Sequence, residues 1–329
     1  MIRKNLKRQP LILLGLLLIL LGVPLVVKSN YYISILVYCL AFAGLGSAWN
    51  LIGGYGGQIS WCHSGFLAIG AYTAIMIQKY LGISPWLTIG IGVVLSFCLA
   101  TMIGYGTFKL TGAYFSLATM AFSEILRLLL LYFKGITGGA AGMYAPNKLK
   151  PGFGNLMFQT DVPFYYIMLI MLALVALVAV IFEKTKTGQY LRAIKDNETA
   201  AQSLGIETFK VKLRAFQLSA VITSVIGVFY GTFLGFIDPA SVCGNDVAVK
   251  IGLVAIIGGT GTIMGPIMGA FILVPLIEFA GVLFGPRGGS QLLYGLGIIL
   301  IVLFMPDGLI QLFRQKAWGK KEKAKSGGA

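Results

Sequence analysis

The chain is poor in charge, in histidine and in cysteine, and each shortage argues against a class of protein. Charged residues make up 11% of its 329 residues, whereas hydrophobic ones make up 57%; soluble domains carry about 25% charged residues. This composition argues against a water-soluble fold. The single histidine and four cysteines form no CxxC or Cys/His spacing. We therefore predict no metal site, and interpret the thiols as buried or incidental.

Motifs for catalysis are also missing. The sequence contains no HExxH, no Gly-x-Ser-x-Gly and no aspartate pair suited to sharing a proton, which argues against an intramembrane enzyme. Its one Gly-Lys pair, Gly319-Lys320, lacks the upstream glycine and the following Ser or Thr of a phosphate-binding loop. We predict that the chain is not an enzyme, binds no cofactor of its own and takes any ATP-derived energy from a partner.

Long apolar runs recur along the whole chain. They fall near residues 11–27, 31–52, 62–78, 85–107, 112–133, 164–182, 215–237, 247–258, 264–284 and 290–305. Most approach the roughly 20 residues that cross a bilayer. They predict an all-α fold, a polytopic membrane helix bundle with about ten membrane segments, or eight or nine if the shorter ones do not cross. The first run could be a secretory signal, but no small-residue cleavage site follows it, so we interpret it as a retained helix.

Positive charge is concentrated in three short segments. Of the 26 Lys and Arg residues, four precede Leu11, seven lie between Lys184 and Arg214, and six lie from Arg314 onward. Cytoplasmic loops collect such residues. The sequence therefore predicts a basic cytoplasmic N-terminus at 1–10, a single transmembrane domain at 11–305 with a cytoplasmic loop at 184–214, and a basic cytoplasmic tail at 306–329. The tail suits attraction to anionic membrane lipid, and no nucleic-acid-binding fold is indicated.

Two stretches do not fit a simple helix bundle. Residues 134–163 carry several Gly and Pro and no spanning run; we expect a periplasmic loop, either a mobile linker or a docking surface for a solute-delivering protein. Residues 247–258 are too short to span unaided, so this segment either crosses obliquely or belongs to a broken helix. Irregular backbone at membrane depth is tolerated only where it is buried in protein or lines a water-filled cavity. This makes the segment a candidate for the solute pathway.

Glycines recur at helical spacing and at two interruptions. Tight helix packing in lipid is predicted for Gly227, Gly231, Gly235, Gly261, Gly265 and Gly269. Broken Gly-rich helices are predicted at two similar stretches, 51–56 and 256–261, each of which follows one apolar segment and precedes another. Paired interruptions often mark a transporter's binding site, so Gly258 and Gly259 are pathway candidates. The likeness indicates either a parallel repeat or a coincidence.

Two ionisable positions lie inside apolar runs. Glu124 lies within a predicted helix with Arg127 three residues later, a spacing at which the two side chains can pair. Charges in lipid are costly and often functional, so Glu124 is either part of a structural ion pair or a substrate ligand. His63 either fills an ordinary hydrogen-bonded position or lies on the pathway.

The polar stretch 187–206 is the most informative part of the sequence. It is helix-friendly, and the spacing of Glu198, Ala200, Ala201 and Gly205 predicts small residues along one side of a helix that fits a cleft on another protein. Arg192 and Asn197 complete this coupling set. The alternative is an ordinary solvated loop.

This stretch resembles the EAA loop of ATP-binding-cassette importer permeases, whose pattern is E-A-A, three residues, then G. Ala200, Ala201 and Gly205 match, while the glutamate lies one place early, at Glu198, and Thr199 takes its position. The longer string resembles the M-type permease of the branched-chain amino acid importer family, as do residues 57–72 and 112–124. From these stretches we take the pathway candidates Gln58, Ser60, His63, Tyr114, Phe115, Thr119 and Glu124.

The resemblance implies a permease subunit in a bacterial inner membrane. It implies a heterodimer with a second permease subunit, two cytoplasmic ATPase subunits that bind ATP and magnesium, and a periplasmic binding protein that delivers Leu, Ile, Val or related solutes. Sibling permeases handle urea, amides, other amino acids or sugars. The rival from another class is a carrier driven by an ion gradient, but only Glu124 and Glu278 lie well inside apolar runs, too few membrane-embedded acids to favour it.

Overall fold

The computed structural model describes residues 9–146 and 152–284, together with residues 295, 299 and 308. Almost all of this part is helical. The α-helices are α1 Gln9–Val26, α2 Asn30–Gly56, α3 His63–Leu81, α4 Pro85–Thr107, α5 Ala113–Tyr132, α6 Lys134–Thr137, α7 Val162–Lys184, α8 Lys186–Asp196, α9 Glu198–Ser203, α10 Thr208–Leu234, α11 Pro239–Cys243, α12 Asn245–Gly258 and α13 Met264–Phe284. Two short strands, β1 Met143–Tyr144 and β2 Phe236–Ile237, pair antiparallel.

Seven stretches in the described part are long and apolar enough to cross a membrane. They are Asn30–Gly56, Pro85–Thr107, Ala113–Tyr132, Val162–Lys184, Thr208–Leu234, Pro239–Gly258 and Met264–Leu283. The all-α membrane bundle is thus confirmed, whereas the expected ten segments are not all found. Helix α3 is absent from this set, α1 contributes only the shorter apolar stretch Leu17–Val26, and the segment expected at 290–305 lies almost wholly outside the described residues.

Helices α2 and α10 form the centre of the bundle. Nearly nine-tenths of the spanning window of α2 is buried, and the helix packs against α7, α10, α12 and α13. Helix α10 also packs along α3 and α4. The outer helices instead present large apolar side chains outward, among them Leu87, Leu117 and Ile170. Such surfaces are suited to hydrocarbon rather than water.

The bundle has two distinguishable ends. Helix α10 begins just after α9 and reaches β2 about 40 Å away, since 27 residues rise ~1.5 Å each. We call the two ends the α8–α9 end and the strand end. At the strand end, Ala145 donates its backbone hydrogen to Gly235 (2.8 Å), and Gln78 donates its side-chain hydrogen to the carbonyl of Asn155 (2.9 Å). The described part of the 134–163 loop is therefore fastened to the bundle.

The short apolar run at 247–258 belongs to a broken helix. Helix α11 ends at Cys243, the backbone is extended at Gly244, and α12 starts at Asn245. Together the two pieces give a 20-residue spanning stretch. Asp238 caps the first piece through a reciprocal bond with Ser241, which fixes where that piece begins.

Candidate coupling surface and solute pathway

The polar stretch after α7 folds as two short helices at an angle to each other. Thr185 Oγ1 accepts a hydrogen bond from the backbone of Gly188 and starts α8, and Asn197 Oδ1 accepts one from the backbone of Ala200 and starts α9. Threonine and asparagine are favoured at such caps because their oxygens pair with free backbone hydrogens. Asn197 itself is extended, with φ −161°. Of the predicted coupling residues, Asn197 thus shapes the hinge between the helices.

Helix α8 is fixed to the last turn of α2. The Lys195 ammonium donates to the carbonyl of Gly54 (2.8 Å). The Arg192 guanidinium lies 5.0 Å above the Tyr55 ring and pairs with Glu183 at 2.5 Å. Leu191 packs closely against Gly56, where a Cβ would lie 3.1 Å from its methyl group. Arg192 is therefore bound within the chain, and Lys195, which the sequence did not single out, makes the direct contact with α2.

Helix α9 is fixed to α10 by an ion pair. Lys212 Nζ donates to both carboxylate oxygens of Glu198, at 2.6 and 2.7 Å. The lysine side chain is only 2% exposed, whereas that of Glu198 is 32% exposed. Pairing accounts for a lysine in such a buried place, because an unpaired buried charge is strongly unfavourable. Glu198 thus holds α9 on the bundle.

The small residues of the coupling set do not share one accessible side. Ala200 is exposed, but Ala201 is buried against the chain itself, because consecutive helical residues point about 100° apart. The predicted single small-residue face is wrong in this respect. The exposed residues of this segment include Ala200, Gly205 and Leu204, whose apolar side chain is 82% exposed. We call these three residues the α9 patch. Sequence reasoning missed Leu204, because its exposure depends on its position just after the end of α9.

Gly205 lies where the chain leaves α9. Its φ is 81°, and no heavy atom lies within 4 Å of the position that a Cβ would take. The left-handed backbone therefore explains the glycine, since other residues adopt this conformation at a cost of about 1–2 kcal/mol.

The prediction of a broken helix at 51–56 is wrong, because α2 continues to Gly56 and the helix ends only there. The end of α2 and the second interruption, which follows Gly258, meet at the α8–α9 end. Asn50 Nδ2 donates to the carbonyl of Thr262 (2.9 Å), and the backbone of Gly261 donates to Asn50 Oδ1 (2.8 Å). Gly54, whose carbonyl accepts from Lys195, has no room for a side chain because the Asn50 amide and the backbone of Gly261 lie against it. One asparagine thus joins two stretches that are more than 200 residues apart in sequence.

The irregular segment 57–62, which begins with the left-handed Gly57, returns into the bundle beside α2. Trp49 Nε1 donates to the carbonyl of Ser60 (2.7 Å), and Ser116 Oγ donates to that of Ile59 (2.7 Å). The backbone of Trp61 donates to Thr119 Oγ1 (3.1 Å). These bonds give hydrogen-bond partners to irregular backbone inside the bundle. Backbone groups within a membrane need such partners because lipid offers none. Ser60 and Thr119 are thereby brought together, while Gln58 is half-buried beside the end of α2.

The remaining pathway candidates are divided between the interior and the surface. His63 Nε2 shares a 2.7 Å hydrogen bond with Ser219, which donates to the carbonyl of Ala48. Phe115 is buried and stacks on Phe108 with ring centres 5.3 Å apart, whereas Tyr114 is 72% exposed. Gly258 packs against Gly265, and Gly259 turns the chain with φ 119°.

Glu124 and Arg127 form a two-point ion pair near the middle of α5. Arg127 Nε donates to the carboxylate at 2.9 and 3.1 Å, and its terminal nitrogen lies 2.5 Å from Oε1. The side chains of Glu124 and Arg127 remain 34% and 28% exposed. A charged side chain at the centre of a bilayer costs about 2.5–3.5 kcal/mol on insertion scales, so this exposed pair is not suited to face lipid.

The glycines predicted to pack helices fall into two groups. A methyl group at Gly227 would overlap the carbonyl of Leu67, and one at Gly231 would lie 2.7 Å from Ala71 Cβ, so these two let α10 approach α3 closely. Gly269 similarly admits α12 next to α13, and Gly265 lies against Gly259. Gly235 and Gly261 depart from the prediction. Both have positive φ, at the end of α10 and in the second interruption, and no atom lies near a Cβ at Gly235.

Comparison with known proteins gives a consistent picture. The family described as branched-chain amino acid transport system / permease component matches residues 31–304. The high-affinity branched-chain amino acid transport system permease protein LivM is 28% identical in Salmonella typhimurium and 27% identical in Escherichia coli K12, each over 288 residues that cover 81% of this chain and 67% of the relative.

A second kind of relative also matches. The autoinducer 2 import system permease protein LsrC of Yersinia enterocolitica is 28% identical over 234 residues, covering 64% of this chain and 63% of that protein. No solved structure matches at a significant level. Because the family match extends over most of the chain, this protein belongs to the permease components of branched-chain amino acid transport systems.

Proposed function

We propose that this permease imports branched-chain amino acids, Leu, Ile or Val, by alternating access that separate ATPase subunits drive through α8 and α9. The observation that carries the coupling is the double attachment of this helix pair, by Lys195 to α2 and by Glu198 to α10. A partner that moves α8 and α9 must therefore move two central helices of the bundle. The substrate assignment is supported by the names of the LivM relatives.

The orientation follows from the distribution of basic residues. Loop 184–214, the N-terminus at 1–10 and the tail at 306–329 hold most of the Lys and Arg, so we place them in the cytoplasm. The strand end with loop 134–163 then faces the periplasm of the inner membrane. Ten segments satisfy this arrangement: the seven apolar stretches, α1, α3 and the segment near 290–305.

The assembly contains several further components. We propose a second permease subunit, two cytoplasmic ATPase subunits that hold ATP and magnesium, a periplasmic binding protein, and anionic lipid at the basic tail. The α9 patch of Ala200, Leu204 and Gly205 is the docking point for an ATPase subunit, because an apolar side chain exposed on a polar cytoplasmic segment gains from burial in a partner. The exposed aromatic rings of Tyr144 and Phe153 at the strand end suit contact with the binding protein.

The coupling route continues from α8 through the end of α2 to the second interruption. A displacement of α8 pulls on Gly54 through Lys195, and the contact of Gly54 with Gly261 passes the displacement to the second interruption. Asn50 keeps the end of α2 and this interruption together during the movement. The solute pathway that they control is lined by candidates that the sequence identified: Gln58, Ser60, His63, Tyr114, Phe115, Thr119, Glu124, Gly258 and Gly259.

The test is uptake of labelled leucine by cells that express this chain with its neighbouring transport genes and lack their own branched-chain uptake. We expect uptake that requires this chain and an intact ATPase, and that excess isoleucine or valine suppresses. Leucine uptake by the purified chain alone in liposomes, driven by an ion gradient, would instead establish the carrier alternative. If autoinducer 2 suppressed leucine uptake and isoleucine did not, the substrate would resemble that named for the LsrC relatives rather than a branched-chain amino acid.

A further inference from the structure

The Glu124–Arg127 pair lies on the least buried of the seven spanning stretches. Only 17% of the α5 window is buried within the chain, against 33% or more for each of the others. The buried residues of α5 form a single stripe, Phe115, Thr119 and Ser123, and Glu124 lies at its edge. The pair is thus accessible from outside the chain at a depth where lipid is a poor environment for charge. It must face either another protein or a water-filled route.

Polar groups beside the pair form a compact buried cluster. Ser64 and Ser123 share a 2.8 Å hydrogen bond between their hydroxyls, and the Cys243 thiol donates to the carbonyl of Ser123 at 3.5 Å. Ser64 also donates to the carbonyl of Cys243 at 3.4 Å. The cluster joins α3, α5 and α11 at one level of the bundle, and Ser123 places it next to Glu124. Serine hydroxyls and a thiol at this depth provide hydrogen-bonding groups that a purely structural contact between apolar helices does not need.

The break in the α11–α12 span lies at the same place. Cys243 is the last residue of α11, and the chain turns at Gly244 before α12 begins. Asn245 Oδ1, two residues after Cys243, is buried and has no hydrogen-bond partner in the described part of the chain. The same holds for the hydroxyl of Tyr72, which is two helical turns beyond Ser64 on α3 and is 3% exposed. Buried polar atoms without a partner are unusual, and discontinuous helices commonly border solute sites in transporters.

We propose that Glu124 and Arg127, at this break, bind the charged ends of a zwitterionic amino acid in transit. In the empty state the two side chains neutralise each other. A zwitterion offers each of them an opposite charge, so its carboxylate takes two parallel hydrogen bonds from the Arg127 guanidinium and its ammonium binds the Glu124 carboxylate. The Ser64, Ser123 and Cys243 cluster lies beside this pair through Ser123, and the unpartnered Asn245 oxygen follows Cys243 by two residues. This deepens the proposed function, on which it rests, by assigning the solute's charged groups to named residues.

The assignment predicts selectivity by charge rather than by size. A solute with both charges replaces the ion pair without leaving either residue unpaired. A monoamine leaves Arg127 unpaired, a monocarboxylate leaves Glu124 unpaired, and a neutral sugar-like solute satisfies neither. Unpaired charges in a confined site are unfavourable, so the permease should discriminate against all three solute types even where the apolar parts are identical.

The experiment uses the assembled complex, with ATPases and binding protein, in proteoliposomes supplied with ATP. We expect leucine uptake to fall at least tenfold in Glu124→Gln, in Arg127→Gln and in the double variant, while ATP hydrolysis and co-purification of the subunits stay near wild type. If the ion pair were purely structural, the double variant should keep leucine uptake near wild type, because removing both charges leaves no unpaired charge. Wild-type uptake by the double variant would overturn the proposal, whereas absence of leucine uptake by the wild-type complex would refute the proposed function itself.

A second measurement needs no variant and covers the case in which a substitution prevents assembly. The wild-type complex without binding protein is heated in the presence of L-leucine, 3-methylbutylamine or 4-methylpentanoate, which have similar apolar parts. We expect only leucine to raise the melting temperature. An equal rise in melting temperature with the amine or the acid would show that binding does not require both charges, and would overturn the proposal.

Discussion

Lys195 donates a 2.8 Å hydrogen bond to the carbonyl oxygen of Gly54 and so joins the α8–α9 helix pair to the end of α2. The last carbonyls of a helix have no partner within the helix, and a cation placed there also interacts favourably with the helix dipole. Gly54 in turn touches Gly261 of the second interruption. We therefore expect movement of this ammonium group to shift both the end of α2 and the second interruption.

Replacing Lys195 with methionine tests this connection. Methionine keeps the apolar part of the side chain but cannot donate to Gly54. A hydrogen bond to a charged group contributes about 1.5–3 kcal/mol, so we expect leucine uptake to fall by roughly 10- to 100-fold while the complex still hydrolyses ATP. Uptake and ATP hydrolysis are measured together in proteoliposomes, and their ratio is the relevant readout.

The matched control is Lys186→Met. Lys186 is an exposed lysine in the first turn of the same helix, and no contact of its side chain is seen in the described part of the chain. Its replacement removes the same charge from the same segment. Uptake per ATP reduced equally in both variants would show that the net charge of the segment matters rather than the bond to Gly54.

Leu204→Ser tests the α9 patch. Burial of a leucine side chain in a partner contributes about 1.5–3 kcal/mol, so loss of this side chain should weaken ATPase binding by roughly 10- to 100-fold. The measurement is a titration of the purified ATPase subunit against the permease in nanodiscs. Because Leu204 is 82% exposed, the substitution should leave the melting temperature of the permease alone unchanged.

Ile136→Ser serves as the control for that titration. Ile136 is also an exposed apolar residue, but it lies at the strand end. We expect it to leave ATPase affinity unchanged. Equal affinities for Leu204→Ser and wild type would place the docking surface elsewhere on the helix pair.

Lys212→Gln tests the attachment of α9 to α10. Its ammonium is buried and bound to both oxygens of Glu198, so we expect a loss of about 1–3 kcal/mol in stability. Lys210 forms the comparison, because its pair with Glu207 is more than 60% exposed on both sides and such pairs contribute about 0–1 kcal/mol. Thermal unfolding of the purified permease should show a clear fall only for Lys212→Gln; equal effects would contradict the structural role of the buried pair.

Local patterns predicted most of the helices, the polar segment 187–206 and the Gly-rich interruption after Gly258, whereas the interruption expected at 51–56 is part of α2. The caps at Thr185 and Asn197 also act within short stretches of sequence, although the sequence analysis did not single them out. The contact between Lys195 and Gly54 could not be predicted, since it joins residues 141 positions apart and several other basic residues in the loop looked equivalent. Likewise, adjacent residues Ala200 and Ala201 differ in burial only because of how α9 lies on α10.

Hydropathy along the sequence identified the strongly apolar spanning helices but was a poor guide to the less apolar ones. Helix α3 has the length of a spanning helix but contains glycines and polar residues, because it packs on α10 and α4 rather than on lipid. The 247–258 run looked too short because its first part, α11, is separated from it by the extended residue Gly244. The packing of α3 and the break at Gly244 both depend on the folded structure, which hydropathy along the chain does not report.

Gly227→Val tests whether the glycine spacing of α10 reflects packing. Gly227 has no space for a Cβ because the backbone of Leu67 lies against it, and forcing extra groups into a packed contact costs about 1–3 kcal/mol. Gly90→Val is the matched control: Gly90 lies in the interior of α4, is exposed and has no atom within 4 Å of a Cβ position. We expect the melting temperature to fall by several degrees for Gly227→Val alone, since surface changes usually stay within about 0.5 kcal/mol. A similar fall in both variants would mean that valine disturbs the helices through backbone preference, and that close approach of α3 and α10 does not require glycine there.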